Sequence, residues 1–142
     1  MLNSLSYIIV IIALGLIVNS MAGYAFARLK FPKKNLLFAL ILAVMIIPAQ
    51  TVMLPQFSII YKMGLSNSYL ALILPAIASP MYIFLFRQNF MGIPESIEEA
   101  AKLDGASAIR TFFQLVVPLA KPVYATVGIL VFIACWNDFV WP

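Results

Sequence analysis

The sequence of 142 residues contains no histidine, one cysteine and only five acidic residues. With Cys135 as its only thiol, the chain cannot form an internal disulfide, a His/Cys zinc site or a Cys–His nucleophile pair from its own residues. The pattern G-x-x-x-x-G-K-S/T, which forms a phosphate-binding loop, is also missing. The sequence therefore indicates no catalytic residue and no metal site, and any dependence on ATP would require a nucleotide site on another polypeptide.

Charge is also scarce, because charged residues make up 10% of the chain and apolar residues 64%. Soluble domains contain roughly 45–50% apolar residues, and a domain this small exposes too much surface to hide the excess. The composition therefore predicts a protein that lies in the lipid bilayer. The net charge of +4 does not indicate nucleic acid as a partner, because the basic residues are scattered between long uncharged runs.

Four long uncharged runs approach the roughly 20 apolar residues that a membrane helix needs. The runs lack the alternation of barrel strands, and a helix satisfies its own backbone groups in hydrocarbon. We therefore predict an all-α, polytopic membrane helix bundle with about four transmembrane helices, formed by residues 1–142 as a single domain. The predicted spans are Leu5–Ala27, Leu36–Leu54, Tyr69–Phe86 and Pro122–Trp141.

The basic residues predict the orientation of these spans. Four fall between the first and second spans, four fall between the third and fourth, and only Lys62 lies between the second and third. Because basic residues concentrate in cytoplasmic loops, the loops 28–35 and 87–121 are predicted to face the cytoplasm.

Prolines interrupt two of the predicted spans. Pro48 and Pro55 lie near the end of the second span, and Pro75 and Pro80 lie within the third. A proline in a helix frees a backbone carbonyl, which neighbouring helices or water can satisfy around a cavity. The prolines therefore favour helices that surround a cavity, and harmless kinks are the alternative.

A face of small and polar residues follows the first span. Asn19, Gly23 and Ala27 recur every four residues, which predicts close packing against another helix. Four polar residues are candidates to line the cavity, with packing or interface roles as the alternative. They are Asn19, Gln50, Ser79 and Asn137.

Charges of both signs cluster in the stretch "ESIEEAAKLDGAS" in the second basic loop. Its acidic residues favour the start of a helix, and Glu98 and Lys102 are spaced as an i,i+4 ion pair. Gly105 predicts a left-handed helix end, and Ser107 predicts the N-cap of a second helix. We call this predicted pair of short helices, residues 94–118, the elbow.

The second helix of the elbow is predicted to be amphipathic. Its apolar residues fall at i, i+3, i+4 and i+7, it ends at Pro118, and it would lie at the inner face of the membrane. These residues are Ile109, Phe112, Phe113 and Val116. The Ala-Ala face of the first helix, flanked by carboxylates, suits close docking into a cleft that carries basic side chains, with an interfacial structural hairpin as the alternative.

The elbow resembles the EAA motif of bacterial ABC-transporter permease subunits, in which Glu-Ala-Ala is followed at fixed spacing by glycine, two aliphatic residues and proline. Leucine and valine stand where the family usually has isoleucine and leucine. The stretch "GYAFARLKF" also resembles a stretch of this family. The stretches "IIPAQTVMLPQFSIIYKMGLSNSYLALILP" and "WNDFVWP" resemble its carbohydrate-uptake branch, which contains the maltose-type permeases. The matching positions are Glu99, Ala100, Ala101, Gly105, Leu115, Val117 and Pro118.

The resemblance implies that the elbow is a coupling helix in an ATP-driven sugar importer of the bacterial inner membrane. It implies an ATP-binding cassette ATPase dimer that holds ATP and Mg²⁺, a second permease subunit in a heterodimer, and an extracytoplasmic solute-binding protein as partners. This chain itself would carry no cofactor, and as a partial transmembrane domain it would lack the family's first and last spans. The implied coupling residues are the seven motif positions together with Glu98 and Asp104.

Four alternative functions differ in the residues that they require. An ABC permease for a non-sugar solute would share the same motif. A gradient-driven transporter or channel usually carries carboxylates or histidines within the membrane, whereas Asp138 is the only acidic residue in a predicted span. A membrane enzyme would need a cluster of acid, base or metal-binding residues, and none is visible in the sequence. A purely structural subunit would not need the EAA spacing.

Overall fold

A computed structural model describes residues 2–138, and all the regular structure in this range is helical. The predicted all-α class is confirmed. The helices are α1 (Leu2–Arg28), α2 (Lys34–Val44), α3 (Ala49–Lys62), α4 (Tyr69–Ala76), α5 (Pro80–Met91), α6 (Glu95–Leu103), α7 (Ala108–Thr111), a π-helical turn (Phe112–Val116), α8 (Val117–Leu119) and α9 (Lys121–Trp136).

Helix α1 is the central element of the fold. It has no charged residue before Arg28 at its last position, and it packs against α4, α5 and α9. Its segment Leu5–Arg28 is the one continuous helix of the described chain that is long and apolar enough to cross a membrane. The predicted first span is therefore an unbroken helix.

The other three predicted spans are each bent. Helices α2 and α3 meet at 101°, α4 and α5 at 45°, and the segment Ala108–Leu119 meets α9 at 80°. If each bent pair is one crossing, the described chain has up to four spans, in agreement with the predicted number. The predicted end of the last span, at Trp141, lies outside the described residues.

The predicted second span, Leu36–Leu54, is broken before its first proline, because α2 ends at Val44 and α3 begins at Ala49. Pro48 adopts an extended conformation at this break, where its missing amide hydrogen costs no helical hydrogen bond. The third predicted span is interrupted just before Pro80, which occupies the first turn of α5. Prolines inside α3 and α4 are tolerated without ending those helices.

Gly23 brings the backbones of α1 and α5 into close contact. A Cβ atom at this position would lie 2.6 Å from the Cβ of Phe86 and 3.0 Å from the backbone nitrogen of Arg87. Only glycine fits without displacing α5. The predicted packing role of the Asn19–Gly23–Ala27 face is confirmed at this position.

Replacing Gly23 with alanine should destabilise the bundle even though alanine is the better helix former. The added methyl group would overlap α5, and overpacking of this kind costs about 1–3 kcal/mol. We expect a lower unfolding temperature for Gly23→Ala in detergent, whereas Gly15→Ala, whose new Cβ would meet atoms no closer than 3.7 Å, should be neutral or slightly stabilising. Equal unfolding temperatures for the two variants would contradict this account.

Candidate functional site

The elbow is two helical segments joined by a tight turn. Gly105 has a φ of 80°, and the amide of Ala106 donates to the carbonyl of Ala101 at 3.0 Å, which closes α6 as a Schellman motif. The Oγ atom of Ser107 accepts a hydrogen bond from the amide of Arg110 at 3.3 Å and caps α7. The predicted helix end at Gly105 and the predicted N-cap at Ser107 are both confirmed.

Helix α6 has one buried face and one exposed face. Glu98 and Ala101 are buried against the bundle, with 4% and 8% of their surface exposed. Glu99 and Ala100 are exposed, and so is Leu103, with 90% of its surface accessible. The expected Ala-Ala face is therefore divided, because consecutive helical residues point about 100° apart and only Ala100 faces outward.

The second half of the elbow departs from a regular α-helix. Of the four predicted apolar residues, Phe112 and Val116 are buried in the bundle, whereas Ile109 and Phe113 are 69% and 51% exposed at its surface. Phe112 and Val116 are four residues apart and share the buried face, and the π-helical turn between them has more residues per turn than an α-helix.

Pro118 does not end the elbow where the sequence predicted. It lies within α8, which continues to Leu119, and the chain bends only at Ala120. Leu115 and Val117 are half-buried beside the π-helical turn, whereas Pro118 is exposed. These three motif residues therefore shape the connection to α9, away from the exposed face of α6.

A buried ion pair joins the elbow to α1. The Nε atom of Arg28 lies 2.8 Å from Oε1 of Glu98, and both side chains are at least nine-tenths buried. The hydroxyl of Tyr24 donates a hydrogen bond of 3.0 Å to Oε2 of the same carboxylate. The predicted Glu98–Lys102 pair is therefore wrong, because a partner 70 positions away in the sequence occupies the Glu98 carboxylate.

Arg28 also contacts the chain that leads into the elbow. Its guanidinium donates hydrogen bonds to the carbonyl of Phe90, at 2.9 Å, and to the carbonyl of Ile93. A further contact of 3.1 Å reaches the carboxylate of Glu95, whose side chain is 77% exposed. We call Tyr24, Arg28, Glu95 and Glu98 the Arg28 cluster. It places the end of α1 and the start of the elbow at the same end of the molecule.

Two of the cavities that lie away from the elbow each contain one of the polar residues predicted to line a cavity. One, of about 380 Å³, is lined by Gln50 and Gln56, by Tyr7, and by mostly apolar residues of α1, α3 and α4. The other, of about 300 Å³, lies at the break between α4 and α5 and is lined by Ser79. Cys135 and Asp138 line both cavities.

Asn19 does not face either cavity, because its side chain is fully buried and bonded to backbone. Its Nδ2 donates to the carbonyls of Gly15 and Ile77, at 2.7 and 3.0 Å, and its Oδ1 accepts from the amide of Ser79 at 2.9 Å. Asn19 therefore satisfies the backbone at the α4–α5 break. Asn137 is exposed and donates to the carbonyl of Ile133 in its own helix.

Comparison with known proteins gives relatives over the whole chain. The sequence is 41% identical over 140 residues to the arabinooligosaccharides transport system permease protein AraQ of Halalkalibacterium halodurans, covering 99% of this chain and 50% of that protein. It is 37% identical over 142 residues to the sn-glycerol-3-phosphate transport system permease protein UgpE of Pectobacterium atrosepticum, covering 100% of this chain and 50% of that protein. The chain thus spans about half the length of the curated relatives it matches.

A solved structure and a family model agree with these relatives. The fold matches the crystal structure of a bacterial ABC transporter involved in the import of the acidic polysaccharide alginate, with a TM-score of 0.90 and 28% identity, over 98% of this chain and 49% of that one. Residues 11–142 match the model for the binding-protein-dependent transport system inner membrane component. The resemblance to ABC-transporter permeases is confirmed, and the chain belongs to the family of binding-protein-dependent transport system inner membrane components.

Proposed function

We propose that the chain forms part of a permease subunit in an ATP-driven, binding-protein-dependent sugar importer of the bacterial inner membrane. Family membership and the names of its relatives support this proposal. The full-length subunit would pair with a second permease, as a heterodimer, and would receive its solute from an extracytoplasmic binding protein. ATP and Mg²⁺ would bind to a separate ATPase dimer.

The exposed face of the elbow is the observation that best supports coupling to an ATPase. Leu103 and Ile109 are 90% and 69% exposed, and Glu99, Ala100 and Asp104 are exposed beside them. A small, apolar and acidic surface fits a cleft with an apolar floor and basic residues at its rim. Because Glu98 and Ala101 face the bundle, we assign the direct contact to Glu99, Ala100, Asp104 and Gly105.

The loops 28–35 and 87–121 are proposed to face the cytoplasm, where the ATPase is found. The Arg28 cluster holds the beginning of both loops at one end of the fold, and each loop contains four of the nine basic residues. Basic loops that share one end of a helix bundle agree with the preference of such loops for the cytoplasmic side.

The two cavities are proposed to form part of the solute path. Gln50 and Gln56 bring amide groups to the first cavity, and Ser79 brings a hydroxyl group to the second. Amides and hydroxyls can hydrogen-bond to sugar hydroxyls within a mostly apolar lining. A non-sugar solute is the alternative, because one relative is a sn-glycerol-3-phosphate permease. A polyol phosphate carries hydroxyl groups like those of a sugar, so the same amides and hydroxyls could bind either solute.

Site-directed crosslinking can test the proposed docking surface. In a full-length permease whose native cysteines are replaced, we expect Leu103→Cys to crosslink to the co-expressed ATPase through a short reagent that carries a maleimide and a photoreactive group. Ser66→Cys is the matched control, because it is also exposed but lies in the loop between α3 and α4. Crosslinks to the ATPase from Ser66→Cys, and none from Leu103→Cys, would show that the elbow is not the docking surface.

A further inference from the structure

The Arg28 cluster lies on the side of α6 that faces away from the exposed docking surface. The Glu98 carboxylate accepts from Tyr24 on one oxygen and pairs with Arg28 on the other, and these two partners occupy the last two turns of α1. Both ion pairs in the described part of the chain join Arg28 to α6. Ion pairs with Arg28 therefore connect α6 to α1, and the opposite face of α6 is exposed at the surface.

Helix α1 connects the elbow to the cavities through one continuous helix. It continues without a break from Arg28 back to Tyr7, which lines the cavity of about 380 Å³ together with Gln50. This distance corresponds to about 30 Å of continuous helix. The other route, through the second half of the elbow, passes a π-helical turn and an 80° bend before it reaches α9.

Helix α1 can also pass a displacement on to its neighbour. Gly23 lies one residue before Tyr24 and packs directly against the backbone of α5. The Arg28 guanidinium reaches the carbonyls of Phe90 and Ile93, at the end of α5 and just beyond it. A movement of α6 would therefore reach α1 and α5 together.

We propose that Arg28 and Glu98 are positioning residues that transmit movement of the elbow to α1, and through α1 to the solute path. This inference rests on the proposed coupling to an ATPase, which it extends by naming the link inside the permease. The link has the required chemistry, because the ion pair is buried and each partner is also hydrogen-bonded to a neighbour, Glu98 to the Tyr24 hydroxyl and Arg28 to the Phe90 carbonyl. Removing either partner would leave an uncompensated buried charge.

The test uses the full-length permease, assembled with its second subunit and the ATPase in vesicles that are supplied with the binding protein. Glu98→Gln and Arg28→Gln should still co-purify with the ATPase and hydrolyse ATP, because neither changes the exposed face of α6. Solute uptake per ATP hydrolysed should fall by about tenfold, within the usual range for the coupling of two sites. Glu95→Gln is the matched control. Its carboxylate contacts the same arginine but is 77% exposed, and because an exposed ion pair contributes little, this variant should leave the ratio unchanged.

The outcomes separate the inference from the proposed function. If the wild-type permease did not associate with the ATPase, the proposed function itself would be refuted. Normal association with an unchanged ratio of uptake to hydrolysis in Glu98→Gln would overturn only the internal link. If Glu98→Gln fails to assemble, Tyr24→Phe provides a milder test, because it removes only the hydroxyl that donates to Glu98. A reduced ratio in Tyr24→Phe supports the link, and a wild-type ratio contradicts it.

Discussion

Glu99→Lys in the full-length permease should abolish solute uptake while membrane insertion stays normal. Glu99 is exposed on α6, so the substitution leaves the Arg28–Glu98 pair and the packing of Ala101 intact. Against a basic cleft on the ATPase, however, the new charge would be repelled, and opposing like charges cost several kcal/mol. We expect uptake near background and loss of the ATPase during affinity purification of the permease.

The control for this prediction leaves the charges of the elbow unchanged. Lys62→Ala removes the single basic residue between the second and third predicted spans, and it should change uptake and ATPase association little. Glu99→Gln should fall between the two, because it removes attraction without adding repulsion. Normal uptake by Glu99→Lys would refute a coupling role for Glu99, and loss of membrane insertion would show that the residue stabilises the fold.

The local geometry of the elbow could be predicted because it depends on neighbouring residues alone. A left-handed turn needs glycine, so Gly105 marked the end of α6, and Ser107 could cap only the helix that starts next to it. The partner of Glu98 could not be predicted in this way. Helical spacing predicted Lys102 as the partner, whereas the actual partner, Arg28, is brought near Glu98 by the tertiary packing of α1.

The positions of the spans followed from hydropathy, but their shape did not. Hydropathy reports which residues avoid water, and a bent pair of helices is as apolar as a straight one. Pro48 and Pro80 marked two of the breaks, whereas Pro55 and Pro75 lie inside helices. Whether a proline ends a helix thus depends on which tertiary contacts satisfy the freed backbone groups.

Asn19 illustrates this dependence on tertiary contacts. Its place on a face of small residues predicted helix packing, and the structure adds the chemical reason for a polar side chain there. The chain leaves helical geometry between α4 and α5, so the carbonyl of Ile77 and the amide of Ser79 need partners outside their own helices. Asn19 has both a donor and an acceptor, and it satisfies both groups from α1.

Asn19→Leu should therefore be strongly destabilising, although leucine suits a membrane helix better than asparagine does. It would leave the Ile77 carbonyl and the Ser79 amide without their partner in an apolar environment, at about 1–3 kcal/mol for each group. We expect the free energy of unfolding in detergent to fall by about 2–5 kcal/mol, and the cavity beside Ser79 to change shape as the break relaxes.

Asn137→Leu is the matched control for Asn19→Leu, because it makes the same substitution at an exposed position. The side chain of Asn137 donates only to the Ile133 carbonyl, which already accepts a hydrogen bond from the Asn137 amide. Its loss should cost less than about 0.5 kcal/mol, as for most surface substitutions. If the two leucine variants unfolded at the same temperature, the hydrogen bonds of Asn19 would not be what holds the α4–α5 break in place.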